Sequence, residues 1–281
     1  MNIHISASEL AILTGHNSYK DKKELYIKFW KKYWRHDYDS IISEYSVKNK
    51  KPKLPETSSQ TISRMAKEHN IPKETISEIY SASKKDTTSL MLKTKNAAIN
   101  KTLKNIPKKH QEEFLKSANS LTYTNFGTKN ESTGIDVYNS IKSVDVTITN
   151  KYFHNDIFII EESEGHPDIW SLGGKIDGIV EIDGEEIIVE IKNRMRGLFN
   201  SLRDYEKVQC FAYMFILNKK CVHLAEYYKQ NLEEDDRNMN IIEIKWDDNF
   251  WYNEVLNKLS LFVDDFYKFL ESHQKKIDIL I

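Results

Sequence analysis

The chain contains 281 residues, of which 40% are apolar and 30% are charged, and its formal net charge is −1. This composition predicts a soluble, globular protein with one sizeable core and an elaboration, or with two small domains. No apolar run approaches the roughly 20 residues of a membrane span, and the N-terminus lacks the apolar segment of a secretory signal, so we expect an intracellular protein. The two cysteines, Cys210 and Cys221, match neither a metal-ligand spacing nor a disulfide framework.

The apolar periodicity predicts helices and strands in an order typical of a mixed α/β protein. The first half of the chain is predicted to contain a helical stretch over residues 8–38 with a turn inside it, a linker over 46–60, helices over 60–69 and 73–80, and lysine-rich helices to about 115. The second half is predicted to contain a helix over 128–141, strands over 157–161, 174–182 and 186–192, a helix over 198–217, strands near 221–228 and 240–246, and a helix over 249–272. This order predicts one mixed β-sheet flanked by helices, and residues 61–80 also have the pattern of a helix-turn-helix.

Positive charge is concentrated in one part of the sequence. Residues 47–116 contain sixteen Lys or Arg and seven Asp or Glu, so this stretch carries about +9 and the rest of the chain about −10. A basic segment beside an acidic site is typical of an enzyme that acts on a phosphate polymer, because the phosphates need an attractive track. The alternative is a lysine-rich helical surface exposed to solvent, which is the better explanation for any single lysine.

Residues 174–192 are predicted to form a β-hairpin that carries two carboxylates and a lysine on one face. Asp183-Gly184 lies between two β-branched runs and favours a two-residue type I′ turn, which fixes the register of the strands. In that register Asp177 faces Glu190, and the side-chain period of two places Lys192 on the same face as Glu190. Directly opposed Cβ atoms lie roughly 5 Å apart, so two like charges there need compensation by a cation.

These three side chains suit the hydrolysis of a phosphodiester. Carboxylate oxygens bind Mg²⁺ or Mn²⁺, the cation polarises the phosphate and its bound water, and a lysine orients or deprotonates that water. A surface hairpin of alternating charges is the alternative. Strand 186–191 argues against it, because its apolar residues point to both faces, as in a buried strand, and charges in such a strand need a reason.

With these residues and this order of elements, the chain resembles the PD-(D/E)xK nuclease superfamily, and within it the YqaJ viral recombinase and phage lambda exonuclease group. The resemblance is carried by four elements in the family's order, namely Ile5-Ser6-Ala7-Ser8-Glu9, Gly127-Thr128-Lys129-Asn130-Glu131, Asp177 with Glu190-Ile191-Lys192, and Tyr205-Glu206-Lys207-Val208-Gln209. It covers about residues 1–38 and 125–230. It implies an α/β (α+β) fold like that of restriction endonucleases, with a mixed central sheet flanked by helices. The predicted organisation is an N-terminal helical part of the core at 1–45, a basic helical insertion at 46–117 and the nuclease core at 118–281.

The resemblance also implies roles for the residues of the catalytic site. It implies that the metal is held by three carboxylates and one backbone carbonyl, those of Glu131, Asp177, Glu190 and Ile191. It further implies that Lys192 positions the attacking water, while Gln209 and Tyr205 on the following helix orient Lys192 or the phosphate. For Glu131 a purely structural role competes, because a glutamate in the first turn of a helix is favoured by the helix dipole.

Four further residues are candidates for contact with DNA. The resemblance implies that the serine segment, with Ser6 and Ser8, holds a DNA phosphate. Arg194 and Arg196 follow the lysine strand directly and are candidates for contact with the DNA backbone. Structural roles compete here as well: a serine at position 8 is a natural helix cap, and the two arginines could be ordinary surface charge.

Two departures from the family pattern concern the substrate and the hairpin. No Pro-Asp precedes the hairpin; Pro167-Asp168 ends nine residues upstream of Asp177, outside the predicted ladder, and we interpret it as a decoy. The lambda-type proteins have an arginine shortly before the serine segment that grips a 5′-phosphate. Here only residues 1–4 precede that segment, which leaves the recognition of a DNA end open.

The predicted function is that of a Mg²⁺- or Mn²⁺-dependent DNA exonuclease of the lambda type, acting in viral or phage recombination, repair or DNA processing in the cytoplasm of the host cell. The resemblance implies double-stranded DNA with ends as the substrate, a homo-oligomer as the assembly and a single-strand-annealing protein as a partner. An endonuclease or nickase on the same fold and a non-catalytic DNA-binding protein are the alternatives, since a metal site does not encode end dependence.

Overall fold

The computed structural model describes residues 1–48, 56–160, 167–231 and 238–281. Its helices are α1 Ala7–Leu13, α2 Lys22–Tyr33, α3 Arg35–Lys48, α4 Ser58–Glu68, α5 Lys73–Ala82, α6 Thr88–Leu103, α7 Lys108–Lys129, α8 Glu131–Lys142, α9 Asp204–Leu217, α10 Asn257–Glu271 and α11 His273–Asp278. A π-helical segment, Phe250–Leu256, leads into α10. The strands are β1 Asn2–Ser6, β2 Tyr152–Ile160, β3 Asp168–Lys175, β4 Gly178–Ile182, β5 Glu185–Asn193, β6 Cys221–Tyr227 and β7 Met239–Lys245.

The strands form two mixed sheets, with the orders β1-β3-β2 and β4-β5-β6-β7. In each sheet one pair of strands is parallel, β1 with β3 and β5 with β6, and the other neighbours are antiparallel. The predicted fold class, a mixed α/β protein with helices around mixed sheets, is therefore confirmed. The prediction of one central sheet is wrong, because the ladders divide between Lys175 and Gly178, inside the predicted strand 174–182.

Two strands of the first sheet were not predicted from the sequence, and their residues show why. β1 has only Ile3 and Ile5 as its buried apolar residues, which is too short a pattern to recognise. β3 ends in Gly173 and Gly174, which read as a loop. A Cβ on Gly173 would lie 2.4 Å from His4 Cε1, and one on Gly174 would lie 2.6 Å from Tyr213 Cε1, so both glycines serve close packing inside a strand.

β5 is the most enclosed strand of the hairpin and lies between two hydrophobic clusters. Ile188 faces the main core, which is formed by residues of α1, α2, α9 and α10, with Trp30 of α2 and Trp170 of β3 among them. Val189 and Ile191 face a smaller cluster that includes residues of α8 and β6. The apolar residues of β5 thus point to both faces, as the sequence pattern predicts, so a charged group on this strand is enclosed by protein.

Helices α4–α7 share a hydrophobic cluster of their own, around Ile62, Ile79 and Phe114. α4 packs on α7 and α5 packs on α6, so α4 and α5 do not form the packed pair of a helix-turn-helix. Thr88, at the start of α6, donates hydrogen bonds from its backbone N–H (3.0 Å) and its hydroxyl (2.9 Å) to the carbonyl oxygen of Lys229, which joins this helical region to the loop after β6.

The domain division stays a prediction, although α7 runs without a break across its boundary at residues 117 and 118. Seven of the fifteen residues of the predicted linker, residues 49–55, lie outside the described residues, and α3 and α4 occupy part of the rest. Both cysteines are free and buried. In the part of the chain that the structure describes, no helix combines the length and the apolar character needed to cross a membrane.

Candidate active site

The β4–β5 hairpin has the turn and the register that its sequence predicts. Asp183 and Gly184 form the two-residue turn with φ values of +53° and +81°, as a type I′ turn requires. The ladder runs from Ile182 opposite Glu185 to Gly178 opposite Val189. Asp177 directly precedes β4, and its Oδ2 accepts a hydrogen bond of 2.8 Å from the backbone N–H of Ile191. The Asp177 carboxylate therefore caps the end of the ladder beside Glu190.

Glu190, Lys192 and Gln209 form a closed group of hydrogen bonds under α9. Glu190 is only 4% exposed, and its Oε1 accepts hydrogen bonds from Lys192 Nζ (2.7 Å) and Gln209 Nε2 (3.1 Å). Lys192 Nζ also donates to Gln209 Oε1 at 3.1 Å. The other Glu190 oxygen, Oε2, is buried and has no hydrogen-bond partner among the described residues. A buried carboxylate oxygen of this kind is costly unless a ligand satisfies it.

Tyr213 is a residue of the site that was not predicted from the sequence. Gln209 Nε2 donates to the Tyr213 hydroxyl at 2.9 Å, and that hydroxyl donates to the carbonyl oxygen of Lys175 at 3.1 Å. Tyr213 therefore fixes the amide of Gln209 against the end of β3. A signal was present in the sequence, since Tyr205, Gln209 and Tyr213 repeat at intervals of four residues on one face of α9.

Tyr205 lies beside the group formed by Glu190, Lys192 and Gln209, and its ring packs against the ring of Tyr19. Tyr205 is half-buried, and it meets Tyr19 edge-on with ring centroids 6.3 Å apart. Burial raises the pKa of its hydroxyl, the charge of Glu206 adds to this, and Lys192 is among the cations that oppose it. Its predicted role in orienting Lys192 stays a prediction, whereas Gln209 contacts Lys192 directly.

Glu131 is brought to the site by close packing of α8 on β5. It is the first residue of α8 and is half-buried. Asn193 Nδ2 donates to the carbonyl oxygen of Gly127 at 2.8 Å, which ties the end of β5 to the end of α7. A Cβ on Gly134 would lie only 2.5 Å from Ile191 Cγ2, so this glycine lets α8 approach the strand. The helix thereby holds Glu131 near Glu190.

The carboxyl groups of the site have raised pKa values. Burial raises the pKa of Glu190 to about 7 although Lys192 opposes the shift, and the nearby Asp177 adds to it. Burial raises the pKa of Asp177 to about 6 against the hydrogen bond from Ile191, and Glu131 contributes. The pKa of Glu131 is raised as well, by burial and by Glu190, with Lys175 opposing. Burial is the main cause in all three groups, and repulsion between the carboxylates adds to it, so each group is easier to ionise beside a bound cation.

Lys192 keeps its proton in this environment. Burial alone would lower the pKa of its ammonium group, but the adjacent Glu190 carboxylate raises it above the ordinary value. Lys175, which was not predicted, lies at the end of β3 and is exposed; its charge opposes the raised pKa values of Asp177 and Glu131. Lys192 is thus a protonated hydrogen-bond donor held inside the site.

The donor set fits a divalent cation in part. No group of three His, Cys, Asp or Glu side chains in the described ranges is arranged as a complete metal site. However, Glu190 Oε2 is an orphaned oxygen. The N–H of Ile191 points to the side of β5 on which Asp177 lies, and strand geometry directs the carbonyl of the same residue to that side as well. Glu190, Asp177 and that carbonyl are hard oxygen donors of the type that Mg²⁺ and Mn²⁺ prefer, and Glu131 is a further carboxylate whose charge acts on Asp177.

The serine segment lies where β1 passes into α1. Ser6, rather than Ser8, is the N-cap of α1, and its backbone N–H donates to Glu9 Oε2 at 3.2 Å. The Ser6 and Ser8 hydroxyl oxygens are 3.2 Å apart, and Ser8 is exposed. Ser6 pairs with Gly173 near the end of β3 from which the chain continues to Asp177. The proposed contact of Ser6 and Ser8 with a phosphate stays a prediction.

Arg194 directly follows β5, as its sequence position implies, but it is not available for the predicted contact with the DNA backbone. It is only 8% exposed, and its guanidinium pairs with Glu206 (2.7 Å) and Glu226 (2.6 Å). Asn200 N–H and Asn240 Nδ2 satisfy the second oxygen of Glu226 at 2.9 and 3.1 Å. A buried guanidinium occupied by two carboxylates has no free donor face for a phosphate, so Arg194 is a structural residue. Arg196, two residues on, is exposed and stays a candidate for contact with DNA.

Asp168 is remote from the hairpin, as its interpretation as a decoy predicts. It opens β3, its Oδ1 lies 2.9 Å from the amino group of Met1, and its Oδ2 accepts a hydrogen bond of 2.6 Å from the Tyr267 hydroxyl. Its role is to fix the N-terminus and α10 against the first sheet.

Comparison with known proteins gives similarity at the level of structure alone. No family model matches the sequence, and no curated protein matches it. Among solved structures, the chain is similar to an alkaline exonuclease from Laribacter hongkongensis, with 17% identity over 55% of this chain and 74% of that one and a TM-score of 0.37. A structure of that exonuclease in complex with dAMP aligns with 15% identity over 73% and 93% of the two chains and a TM-score of 0.37. A phage-related exonuclease from Haemophilus somnus aligns with 11% identity over 53% and 72% and a TM-score of 0.37. Structural similarity at this level does not establish a function, so the function has to be inferred from the residues of the site.

Proposed function

We propose that this protein is a nuclease that hydrolyses the phosphodiester bonds of DNA with Mg²⁺ or Mn²⁺, and that it acts as an exonuclease of the lambda type. One observation carries the proposal: Glu190 is buried directly beside Asp177, with one oxygen held by Lys192 and Gln209 and the other without a hydrogen-bond partner among the residues that the structure describes. Such an arrangement lowers the stability of a fold. Its presence on an enclosed strand therefore supports the binding of a positively charged ligand at this position.

Each residue of the group has a role that follows from its contacts. Asp177, Glu190 and the Ile191 carbonyl would hold the cation, with Glu131 joining from α8. When bound, the cation supplies the positive charge that polarises the phosphate and lowers the pKa of water. The raised pKa of Lys192 means that it acts as a hydrogen-bond donor, so it positions the attacking water or stabilises charge on the phosphate. Gln209, fixed by Tyr213, holds Lys192 in place.

The first experiment measures the release of nucleotides from linear DNA with and without Mg²⁺. Lys192→Ala is expected to reduce the rate about 10²–10⁴-fold, as the loss of one donor to the reacting atoms does. Glu190→Gln is expected to abolish the response to Mg²⁺. The matched controls are Lys219→Ala and Glu186→Gln, because these residues form an exposed ion pair at the other end of β5. Equal activity of the wild type and Lys192→Ala, or no activity in either, rejects the assignment.

The second experiment separates the exonuclease from an endonuclease or nickase with the same site. Closed circular DNA and the same DNA after linearisation are compared at equal concentration. Release of nucleotides from the linear form alone supports the exonuclease. Equal cleavage of both forms supports the endonuclease, and binding of DNA without cleavage supports a non-catalytic binding protein. Double-stranded ends as the substrate, a homo-oligomer and an annealing partner in viral or phage recombination belong to the same proposal.

A further inference from the structure

An exposed aromatic side chain lies at the rim of the proposed active site. Tyr19, in the turn between α1 and α2, is 83% exposed, and its ring meets Tyr205 edge-on. Tyr205 is in the first turn of α9, one helical turn before Gln209. Tyr19 therefore lies on the exposed side of Tyr205, one helical turn from Gln209.

The turn that carries Tyr19 is held in place by its own hydrogen bonds. The Asn17 side-chain oxygen accepts the backbone N–H of Tyr19 at 3.1 Å, and the Thr14 hydroxyl is 2.8 Å from His16 Nδ1. The His16 ring in turn packs edge-on against Phe250, with centroids 6.0 Å apart. The exposed ring is thus presented from an ordered turn rather than from a loose end, which lowers the entropy cost of binding a ligand to it.

A second pair of residues stands on the other side of the same helix start. Phe199 is 40% exposed, and the exposed Arg203 holds its guanidinium carbon 4.7 Å from the centre of the Phe199 ring. Arg203 is the N-cap of α9, two residues before Tyr205. The bond between Asn200 N–H and Glu226 fixes the loop that carries Phe199. An aromatic ring and a cation therefore flank the entrance to α9.

We propose that Tyr19 and the Phe199–Arg203 pair bind a single-stranded segment of nucleic acid at the entrance to the site, with a nucleobase stacked on Tyr19 and a phosphate paired with Arg203. Exposed aromatic rings combined with arginine are the means by which proteins hold single strands without reading their sequence. The bases of an intact duplex are stacked on one another and offer no free face, so the occupant is an unpaired strand. This inference rests on the proposed nuclease function, since it assigns the path of that enzyme's substrate.

The test is a binding measurement without divalent metal, so that no cleavage occurs. The affinity of the full chain for a labelled oligo-dT is compared with its affinity for the same backbone with abasic positions. Tyr19→Leu is expected to weaken binding to oligo-dT roughly 5- to 100-fold, the effect of losing one stacked base, and to leave binding of the abasic strand unchanged. Tyr19→Trp is expected to restore the wild-type affinity, because tryptophan offers a larger stacking face. Tyr252→Leu is the matched control, since Tyr252 is also an exposed tyrosine, at 53%.

A second variant tests the phosphate contact. Arg203→Gln is expected to weaken binding to both oligonucleotides equally and to reduce the slope of log affinity against log salt by about 0.7, the value for one phosphate of a single strand. All these positions are exposed, so the variants are expected to melt at the wild-type temperature.

The outcomes separate this inference from the proposed function. The inference is overturned if the wild type binds the abasic strand as tightly as oligo-dT, or if Tyr19→Leu binds both strands as the wild type does. If such a binding result is found and the wild type cleaves DNA with Mg²⁺, the single-strand binding surface is rejected and the nuclease function is supported. If instead the affinity for oligo-dT depends on Tyr19 but the protein cleaves no DNA, the binding surface is supported and the nuclease function is rejected.

Discussion

Two buried groups of charges lie next to each other along β5 and are satisfied to different degrees. In the first, Arg194 is shared by Glu206 and Glu226, and further N–H donors bind the second oxygen of Glu226. In the second, Glu190 has one oxygen bound by Lys192 and one oxygen without a partner among the described residues. When Asp177 is counted with the second group, both groups contain more carboxylates than cations, so charge count alone does not distinguish them.

The pKa values show the consequence of this difference. Burial would raise the pKa of Glu226, but Asn240 and Arg194 hold it below its ordinary value. Burial does raise the pKa of Glu190, to about 7. A buried carboxylate with complete hydrogen bonding stabilises the fold around it, whereas one with an open oxygen costs stability until a ligand arrives. The first group is therefore structural, and the second is the one expected to bind a cation.

The largest expected effect comes from breaking the satisfied group. Arg194→Met leaves Glu206 and Glu226 buried with no cation, so we expect the free energy of unfolding to fall by about 3–5 kcal/mol. Denaturant unfolding measures it. Arg196→Met, at an exposed position two residues away, is the control and should change the free energy by less than about 0.5 kcal/mol. A loss below about 1 kcal/mol in Arg194→Met would contradict the structural role.

The next effect is a dependence of stability on pH that arises from Glu190. Its pKa in the folded state, about 7, exceeds its ordinary value, so the folded protein binds more protons than the unfolded chain between about pH 4.5 and 7. The contribution of this group to stability is therefore present below about pH 4.5 and is lost as the pH rises to 7, with an amplitude of about 3 kcal/mol. Thermal unfolding of the metal-free protein at pH 5.5 and 8 measures the part of this loss that falls above pH 5.5, about 2 kcal/mol.

A variant is needed to isolate the contribution of Glu190 from that of the histidines. Burial lowers the pKa of His223, which gives stability the opposite slope in part of the same pH range. Glu190→Gln keeps His223 and removes the titration of Glu190, so the wild type should lose more stability than Glu190→Gln between pH 5.5 and 8. Added Mg²⁺ should stabilise the wild type more at pH 8 than at pH 5.5, because only the ionised carboxylates bind it. Parallel pH curves of the two proteins would count against a raised pKa.

A third effect concerns the position of Glu131. Gly134→Ala places a Cβ about 2.5 Å from Ile191 Cγ2, so α8 must shift away from β5 at a cost of about 1–3 kcal/mol. The same shift moves Glu131 from Glu190, and the affinity for Mn²⁺, measured by calorimetry, should fall. Gly127→Ala is the control, because a Cβ there meets open space. Unchanged Mn²⁺ affinity in Gly134→Ala would remove Glu131 from the metal site.

The smallest effect is a gain in stability. Asp177→Asn keeps an oxygen that can accept the N–H of Ile191 and removes a charge whose pKa is raised to about 6. We expect the metal-free variant at pH 8 to be more stable than the wild type by about 1 kcal/mol and to have lost cleavage, a trade of activity for stability that active sites show. Arg194 variants offer no such gain. A destabilised Asp177→Asn would mean that this carboxylate is structural.

The parts that were predictable from the sequence depend on neighbouring residues. Asp183-Gly184 determines the turn, the turn determines the register, and the register places Asp177 beside Glu190 with Lys192 on the same face. The regular spacing on α9 likewise places Gln209 where it contacts Lys192. Strands β1 and β3 and the division into two sheets were not predictable, because their ladders join residues 2–6 to residues 169–173 and depend on glycines chosen for close packing.

The sequence by itself determined the hairpin, its pair of carboxylates and the lysine on the same face, since strand period and turn chemistry are local properties of the chain. Only the tertiary structure decided which of the neighbouring charges is structural and which is open to a ligand. Lys192 lies on β5 and Arg194 directly follows that strand, and in the sequence both appear as similar cations two residues apart. Their difference arises from their neighbours. Helix α9 and strand β6 bring Glu206 and Glu226 to Arg194. Lys192 and Gln209 instead bind one oxygen of Glu190, whose other oxygen has no partner among the described residues.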